Sequence, residues 1–199
     1  LVQTTSIPAD DGTVGIFIGG SQPLVLGKVA AQVSITGDEF GDPAKSKLQL
    51  TRNGQTAIVE EANLGGGAIA GLLRFNNTDL VDAGNLLGRM AMALGTKINE
   101  QQSLGLDQTG AAGQALFALG PTPAGLPSTA NTGGASMAFG IQTTPTNGST
   151  ALAASDYEVA FSSATTGSVR RVLDGQTVAF GSVPVLIDGL SLDVTGAPA

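Results

Sequence analysis

The feature that most constrains the fold is a long segment with the apolar period of an α-helix. Its apolar residues step by three, four, three, four and four positions, which places them on one stripe of a helix. They are Leu80, Ala83, Leu87, Met90, Leu94 and Ile98. With Thr78 as N-cap and a stop at Leu104-Gly105, the pattern predicts one long helix over residues 78–103. A separate short helix is predicted from Ala68 to Phe75.

This stripe needs a partner surface. Burying five or six such side chains contributes on the order of 10 kcal/mol gross, so only another long helix or a sheet face can cover it. Leu87, Met90 and Leu94 are predicted to be buried, with Arg89 and Lys97 on or near the wet side. The sequence contains no second long helical pattern. We therefore expect part of the stripe to be exposed in the isolated chain or covered by a neighbouring copy.

Glycines inside the predicted helix leave two interpretations open. Gly84, Gly88 and Gly95 each cost about 1 kcal/mol relative to Ala. Either tertiary packing offsets this loss, or the small side chains allow the backbone of another helix, including one outside this chain, to approach closely.

Before the helix, the sequence predicts a small antiparallel β unit over residues 13–60. Its clearest signal is Asn53-Gly54 between two alternating segments, which is typical of a hairpin. The predicted strands are 13–18, 23–26, 29–36, 47–52 and 55–60. Residues 1–12 are polar and end in a turn, so no strand is predicted there.

After the helix, a segment rich in Pro, Gly and small residues predicts a linker at 118–131. A small all-β domain of meander or sandwich type is then predicted over 132–199, with hairpins at Asp174-Gly175 and Asp188-Gly189. Its predicted strands are 136–143, 156–162, 168–173, 176–180, 183–187 and 190–194. The predicted fold class is therefore α+β: antiparallel hairpins plus one long helix within 1–117, then the all-β domain.

Composition excludes several classes of function. The chain has 199 residues, a net charge of −7, no His and no Cys. The acidic balance disfavours nucleic acid and anionic membrane surfaces. Without His or Cys the chain lacks the commonest general base, the commonest metal ligand and any thiol nucleophile. We expect no catalytic residues, no cofactor, no metal, no nucleic-acid partner and no membrane span.

Several local motifs match functional sites only in part. Gly65 to Ala70 fits the dinucleotide pattern G-x-G-x-x-A, but the strand before it belongs to a hairpin, so a flexible hinge is the preferred interpretation. The acidic turns at 10–12 and 38–42 lack the spacing of a calcium loop. Ser46-Lys47 lacks a third, orienting group, and Arg170-Arg171 is interpreted as protection of a sheet edge. Glycan acceptor patterns occur at 76–78 and 147–149.

The order of motifs in the 64–110 stretch resembles the flagellar hook-associated protein 1 family. The matching pieces are Leu64-Gly-Gly, Ile69-Ala-Gly-Leu-Leu73, Asp79-Leu80, Leu87-Gly88-Arg89-Met90-Ala91, Ile98-Asn99, Gln101-Gln102 and Gly105-Leu-Asp107 to Gly110. Leu116-Phe117 looks like the family's paired aromatic position with one Phe replaced by Leu. The likeness is dense over 13–117 and sparser, though collinear, to 197.

The resemblance implies a non-enzymatic structural protein of the bacterial flagellum, at the junction of hook and filament. It implies type III export, an extracellular location, and three kinds of partner: other copies in a ring, the hook protein and the next hook-associated protein. Because the chain begins with Leu and stops just after an apparent strand, we expect a mid-to-C-terminal portion that lacks the family's terminal helical segments. The alternative is a secreted adhesin-like or phage-tail-like β binding module.

Overall fold

The computed structural model describes residues 1–120, 122–142 and 148–196, which form two compact units that divide between Val81 and Asp82. The predicted α+β class is confirmed: antiparallel sheets accompany one long helix. The predicted domain boundaries, with a linker at 118–131, remain a prediction. Limited proteolysis tests them, and the first cleavage is expected between Ala118 and Gly134.

Two antiparallel sheets form the β part of the first unit. The first sheet has the order β1-β2-β3-β4 and the second the order β5-β6-β7. The strands are β1 (Thr4–Pro8), β2 (Val14–Ile18), β3 (Gln22–Leu26), β4 (Val29–Ala30), β5 (Gln32–Thr36), β6 (Lys47–Arg52) and β7 (Gln55–Val59). At the predicted hairpin, Arg52 pairs with Gln55 around Asn53 and Gly54, whose φ values of 51° and 78° fit a type I′ turn.

Two strand predictions in this unit were wrong. The predicted strand 29–36 is two short strands in different sheets, because the chain leaves the first sheet at Ala31, whose N–H donates to the Leu24 carbonyl at 2.7 Å. Residues 4–8 form β1 although no strand was predicted, since Thr, Thr, Ser and Pro give no alternating apolar pattern. All five of its residues are exposed, and pairing with β2 holds it in place.

The core of the first unit lies between strands and the start of the long helix. It joins one residue of β2, two of β6 and one of β7 with Leu64 and Leu73. The buried residues are Ile18, Leu48, Leu50, Val59, Leu64 and Leu73. Ile69 and Ala70 pack against this cluster, so the first helical turns are fixed by ordinary apolar burial.

The helix begins ten residues earlier than predicted. Helix α1 (Ala68–Arg74), a π-helical turn (Phe75–Asp79) and helix α2 (Leu80–Ser103) run without a break over 36 residues. Thr78 is therefore not an N-cap. The reason is that the chain is already helical at Thr78: the Leu80 N–H donates to the Phe75 carbonyl through the π turn. The short helix predicted from Ala68 to Phe75 is present as α1, but it is not separate, because the chain stays helical through the π turn.

The second unit contains most of α2 and a small β sandwich. Its two sheets have the orders β12-β13-β8 and β11-β10-β9. The elements are β8 (Ser136–Ile141), the short helix α3 (Gly148–Ala151), β9 (Tyr157–Phe161), β10 (Gly167–Arg171), β11 (Thr177–Phe180), β12 (Val185–Ile187) and β13 (Leu190–Thr195). Both sheets contribute to one core around Val169, Val185 and Leu192, which confirms the predicted small β sheets in this part of the chain, whereas the four-residue helix α3 was not predicted.

The two Asp-Gly turns of this unit differ. Asp188-Gly189 is a two-residue type I′ turn, with φ values of 47° and 77° between paired Ile187 and Leu190. The Asp174-Gly175 connection is longer than the predicted two-residue hairpin, because β10 already ends at Arg171 and β11 begins at Thr177. The last predicted residue of the strand 136–143, Thr143, lies outside the described residues.

Candidate functional site

The glycine-rich entry to the helix is occupied by the chain itself. The Ile69 N–H donates to the Leu1 carbonyl at 3.0 Å, and the Gln3 N–H donates to the Gly66 carbonyl at 3.1 Å. A Cβ on Gly67 would lie 2.5 Å from the Leu1 carbonyl oxygen. These glycines allow two backbone segments to pack closely, and a phosphate at this helix start would have to displace Leu1.

The acidic turns use their carboxylates on neighbouring backbone N–H groups. Asp11 accepts from Thr13, and these hydrogen bonds lower the pKa of Asp11. Asp38 accepts from Phe40 and Asp42 at 3.1 Å and 2.8 Å. Within the described part of the chain, no group of three potential metal ligands comes together.

The Arg pair does not protect a sheet edge, because β10 is the central strand of its sheet. Arg170 pairs with Glu158 at 2.6 Å, on the exposed side. Arg171 bridges to Asp188 at 2.8 Å and Asp174 at 2.7 Å, and its guanidinium lowers the pKa of Asp174 to about 2. Burial and a 2.7 Å hydrogen bond to Asp188 raise the pKa of Tyr157. This network joins the two sheets of the sandwich.

Ser46 and Asn76 have structural roles. The Ser46 N–H donates to the Asn77 Oδ1 at 2.9 Å, and the Asn77 Nδ2 donates to the Ser46 carbonyl at 2.8 Å, so the side chain of Asn77 holds the backbone of Ser46. Lys47 pairs with Glu39 at 3.2 Å. The Asn76 side chain donates to the Ala44 carbonyl from within the π turn. The second glycan pattern begins at Asn147, outside the described residues.

One face of α2 contacts the chain's own second unit through small and amide side chains. Asn85 donates to the Asp156 carboxylate at 3.0 Å. The Asn99 Oδ1 accepts from the N–H groups of Leu116 and Phe117 at 2.9 Å and 3.0 Å, while its Nδ2 donates to the Phe117 carbonyl at 2.9 Å. Gly95, between them in sequence, is buried.

The opposite face of α2 is the apolar stripe, and all of it except the half-buried Ile98 is exposed. Leu87, Met90 and Leu94 are 69%, 68% and 62% exposed, so the prediction that they are buried was wrong for this chain. At roughly 100° per residue they lie on the far side of the helix from Asn85 and Asn99. Nothing in the described residues covers them. The expectation that part of the stripe would be uncovered is confirmed.

The two interior glycines Gly84 and Gly88, on the flank of the helix between the stripe and the Asn99 face, are also open. A Cβ on Gly84 or Gly88 would meet no atom of the described residues within 4 Å. Their lost helix propensity is therefore not offset by packing in this chain. Arg89 is exposed as expected, whereas Lys97 is half-buried and pairs with Glu100 at 2.7 Å.

The comparisons with known proteins point to one family. The family model described as "Flagellar hook-associated protein FlgK helical domain" matches residues 1–117, more than half of the chain. This chain belongs to the flagellar hook-associated protein FlgK family. The resemblance found in the order of motifs is thereby confirmed.

Relatives and a solved structure agree with the family model. Flagellar hook-associated protein 1 of Escherichia coli (strain K12) is 32% identical over 197 residues, covering 96% of this chain and 34% of that protein. The Salmonella typhimurium protein of the same name is 30% identical over 94% of this chain and 34% of its own length. The chain therefore spans about a third of the length of these relatives.

The structure of the flagellar hook junction protein FlgK from Burkholderia pseudomallei superposes with a TM-score of 0.81. The two sequences are 26% identical, and the match covers all of this chain and 36% of the other. Within the described ranges, no helix has both the length and the apolar composition of a membrane span.

The residues that sequence reasoning missed are the helix asparagines. Asn77, Asn85 and Asn99 make the side-chain contacts that join the helix to other segments. The sequence contains an indication of this role, because Asn has a low helix propensity and its side chain readily forms hydrogen bonds with backbone groups. An Asn opposite an apolar stripe therefore marks the side on which the chain folds back.

Proposed function

We propose that this chain is a structural part of the bacterial flagellum, at the junction between hook and filament, and is not an enzyme. The observation that carries the proposal is the exposed apolar stripe on the long helix, in a chain of the hook-associated family. A stripe of this spacing is what a helix presents to another helix in a bundle. Its function is therefore assembly.

The occupant of the stripe is an amphipathic helical segment from the part of the polypeptide outside residues 1–199. The relatives are about three times as long as this chain, so they have ample further chain to supply one. A further segment can also approach closely on the flank between the stripe and the Asn99 face, because Gly84 and Gly88 leave the helix surface open there. The remaining partners are other copies in a ring, the hook protein and the next hook-associated protein.

This function places the protein outside the cell, as part of the flagellum. Its surface suits that role better than ligand binding. In the acidic turns, the carboxylates of Asp11 and Asp38 accept from the chain's own N–H groups, and the glycine-rich entry is filled by Leu1.

Electron microscopy of a strain deleted for the gene tests the proposal. We expect hooks without filaments and non-motile cells, with recovery when the full-length gene is returned. Return of a full-length Leu87→Glu variant should not restore filaments, because the charge lies on the stripe. The matched control is Leu186→Glu, at an exposed leucine of β12.

Normal filaments in the deletion strain would contradict the proposal and favour a secreted β binding module. Full recovery with Leu87→Glu would contradict the role given to the stripe.

A further inference from the structure

An open groove of about 390 Å³ lies at the turn end of the β6–β7 hairpin. It is lined by Leu50 and Ala57, which are paired across the hairpin on the face of the sheet that buries Leu48 and Val59. Pro23 lines the groove from the first sheet. Because Ala57 is exposed, the apolar face of the second sheet remains open to solvent at this end.

A positive charge lies in this groove without a partner. Arg52 and Gln55 line the groove next to the turn and are paired with each other. Side-chain alternation places both on the face that carries Leu50 and Ala57. The Arg52 side chain is half-buried and, within the described residues, has no ion pair or hydrogen bond. The described lining contains no Asp or Glu, so nothing in it neutralises the guanidinium.

The chemistry of the lining favours a carboxylate. The Arg52 guanidinium only donates hydrogen bonds, and the side-chain amides of Gln22 and Gln55 supply further N–H donors. A carboxylate only accepts, and its two oxygens match the fork of a guanidinium. A single positive charge balances one carboxylate, whereas a phosphate dianion would leave excess negative charge beside a chain of net charge −7. The apolar part of the lining suits the methylene groups of a glutamate side chain.

The strand beside the groove can accept a further strand. Among the described strands, β7 pairs only with β6 and is an edge of its sheet. Since Arg52 and Gln55 form the hydrogen-bonded pair next to the two-residue turn, the N–H and carbonyl groups of Thr56 and Ile58 point away from β6. Thr56 also lines the groove. An extended peptide paired with this edge would therefore run past the groove and place its alternate side chains beside it.

We propose that this groove binds a glutamate side chain carried on an extended segment of a partner protein, which adds to the β7 edge. Arg52 pairs with the carboxylate, and the backbone of Thr56 and Ile58 holds the segment. Long-range attraction does not assist this binding, because the acidic chain repels an anionic segment. The site shares no residue with the stripe on α2 and is a contact beyond those of the proposed function.

An NMR titration of the isotope-labelled 199-residue chain near neutral pH tests the proposal. The probe is the end-capped peptide acetyl-Thr-Val-Glu-Val-Thr-amide, whose β-branched residues favour an extended conformation. We expect a dissociation constant below about 1 mM and shifts in the resonances of Arg52, Gln55 and Thr56. Hydrogen exchange at the Thr56 and Ile58 amides should slow, because the added strand accepts from them.

Two changes remove the charge pair from opposite sides. The same peptide with Gln in place of Glu should bind wild type at least about tenfold more weakly, because a charge-assisted hydrogen bond is lost. The variant Arg52→Gln should weaken binding of the Glu peptide by a similar factor. The matched control is Arg89→Gln, at an exposed arginine of α2, which should change the dissociation constant less than about twofold. Urea unfolding of each variant confirms that it is folded.

Absence of binding up to about 5 mM Glu peptide overturns the proposal. Equal binding of the Glu and Gln peptides to wild type also overturns it, and this comparison does not depend on the folding of any variant. Equal effects of Arg52→Gln and Arg89→Gln would place the carboxylate elsewhere. If N-acetylglutamate binds as tightly as the Glu peptide, the groove takes a free carboxylate and the proposed strand addition is wrong.

Discussion

The two faces of α2 contrast sharply in the second unit. The covered face carries Asn85, Gly95 and Asn99, which form hydrogen bonds or close contacts with the chain. The exposed face carries Leu87 and Leu94, which contact solvent. In an ordinary surface helix the apolar side faces the core and the polar side faces water. Here the apolar stripe faces water instead, and this exposure is the reason for proposing that the stripe has a partner outside this chain.

The contrast shows what each kind of residue reports. An apolar period indicates which face of a helix is buried in the final assembly, because burial of apolar surface stabilises the assembled state. The Asn side chains indicate where the chain folds on itself, because one amide can donate to and accept from the backbone of the same segment. Both patterns are needed to separate contacts within a chain from contacts with a partner.

Removal of the Asn99 amide should cause the largest loss on the covered face. Asn99→Ala deletes three hydrogen bonds, each contributing about 0.5–1.5 kcal/mol, so we expect a loss of about 2 kcal/mol in the free energy of unfolding. Urea denaturation measures it, with Gln101→Ala at an exposed position of the same helix as the control. Equal losses of unfolding free energy in the two variants would show that the Asn99 contacts do not stabilise the attachment of Leu116 and Phe117 to the helix.

The open glycines should give a smaller effect of opposite sign. Gly88→Ala should stabilise the isolated chain by about 1 kcal/mol, because helix propensity improves and the new methyl group meets no described atom. The same substitution in the full-length protein should reduce filament formation if another helix lies against this face. Stabilisation in both settings would indicate that no helix approaches Gly88.

The smallest expected effect is the pH dependence of the stability that Asp107 contributes in the turn after α2. Hydrogen bonds from Thr109 and Ala111 lower the pKa of Asp107 below its ordinary value of 3.8. A lowered pKa in the folded state contributes stability that is complete above the ordinary value and is lost as the pH falls through the folded-state pKa. Asp107→Asn should therefore be less stable than wild type near neutral pH, with the difference shrinking below about pH 4.

Urea unfolding at several pH values measures this difference, and Asp193→Asn on β13 serves as the control. A difference that persists unchanged to pH 2 would mean that the charge of Asp107 contributes nothing.

The sequence predicted those parts of the fold that rest on local chemistry. Asn53-Gly54 and Asp188-Gly189 form the expected two-residue turns, because few residue pairs tolerate two positive φ values. The predicted strand 47–52 matches β6 residue for residue, since Leu48 and Leu50 alternate with polar neighbours. The order of motifs over 64–110 was specific enough to identify the family.

What the sequence did not predict rests on non-local contacts. Strand β1 has no apolar alternation and is held by pairing with β2. The helix start was misplaced because Thr78, which resembles an N-cap, lies inside the π turn that joins α1 to α2. Only one part of the candidate site was predicted. The period identified the residues of the stripe, but whether other segments cover that stripe is a non-local property. The hydrogen bonds between Asn99 and the backbone of Leu116 and Phe117 could not be deduced from the spacing of residues in the sequence.

The central claim, that the apolar stripe is covered by other chain and not by this one, is tested most directly by alanine substitutions in two settings. Leu80, Leu87, Leu94 and Ile98 are each changed to Ala, and the free energy of unfolding is measured in urea at two protein concentrations. The series is made in the 199-residue chain and in the full-length protein, with buried Leu192→Ala as the reference.

In the 199-residue chain, we predict that Leu87→Ala and Leu94→Ala cost well below about 1 kcal/mol, or an amount that depends on concentration, while Leu192→Ala costs about 2–5 kcal/mol. In the full-length protein, the stripe variants should approach the cost of Leu192→Ala. Uniformly large, concentration-independent costs in the 199-residue chain would contradict the account, because this chain would then cover the stripe by itself.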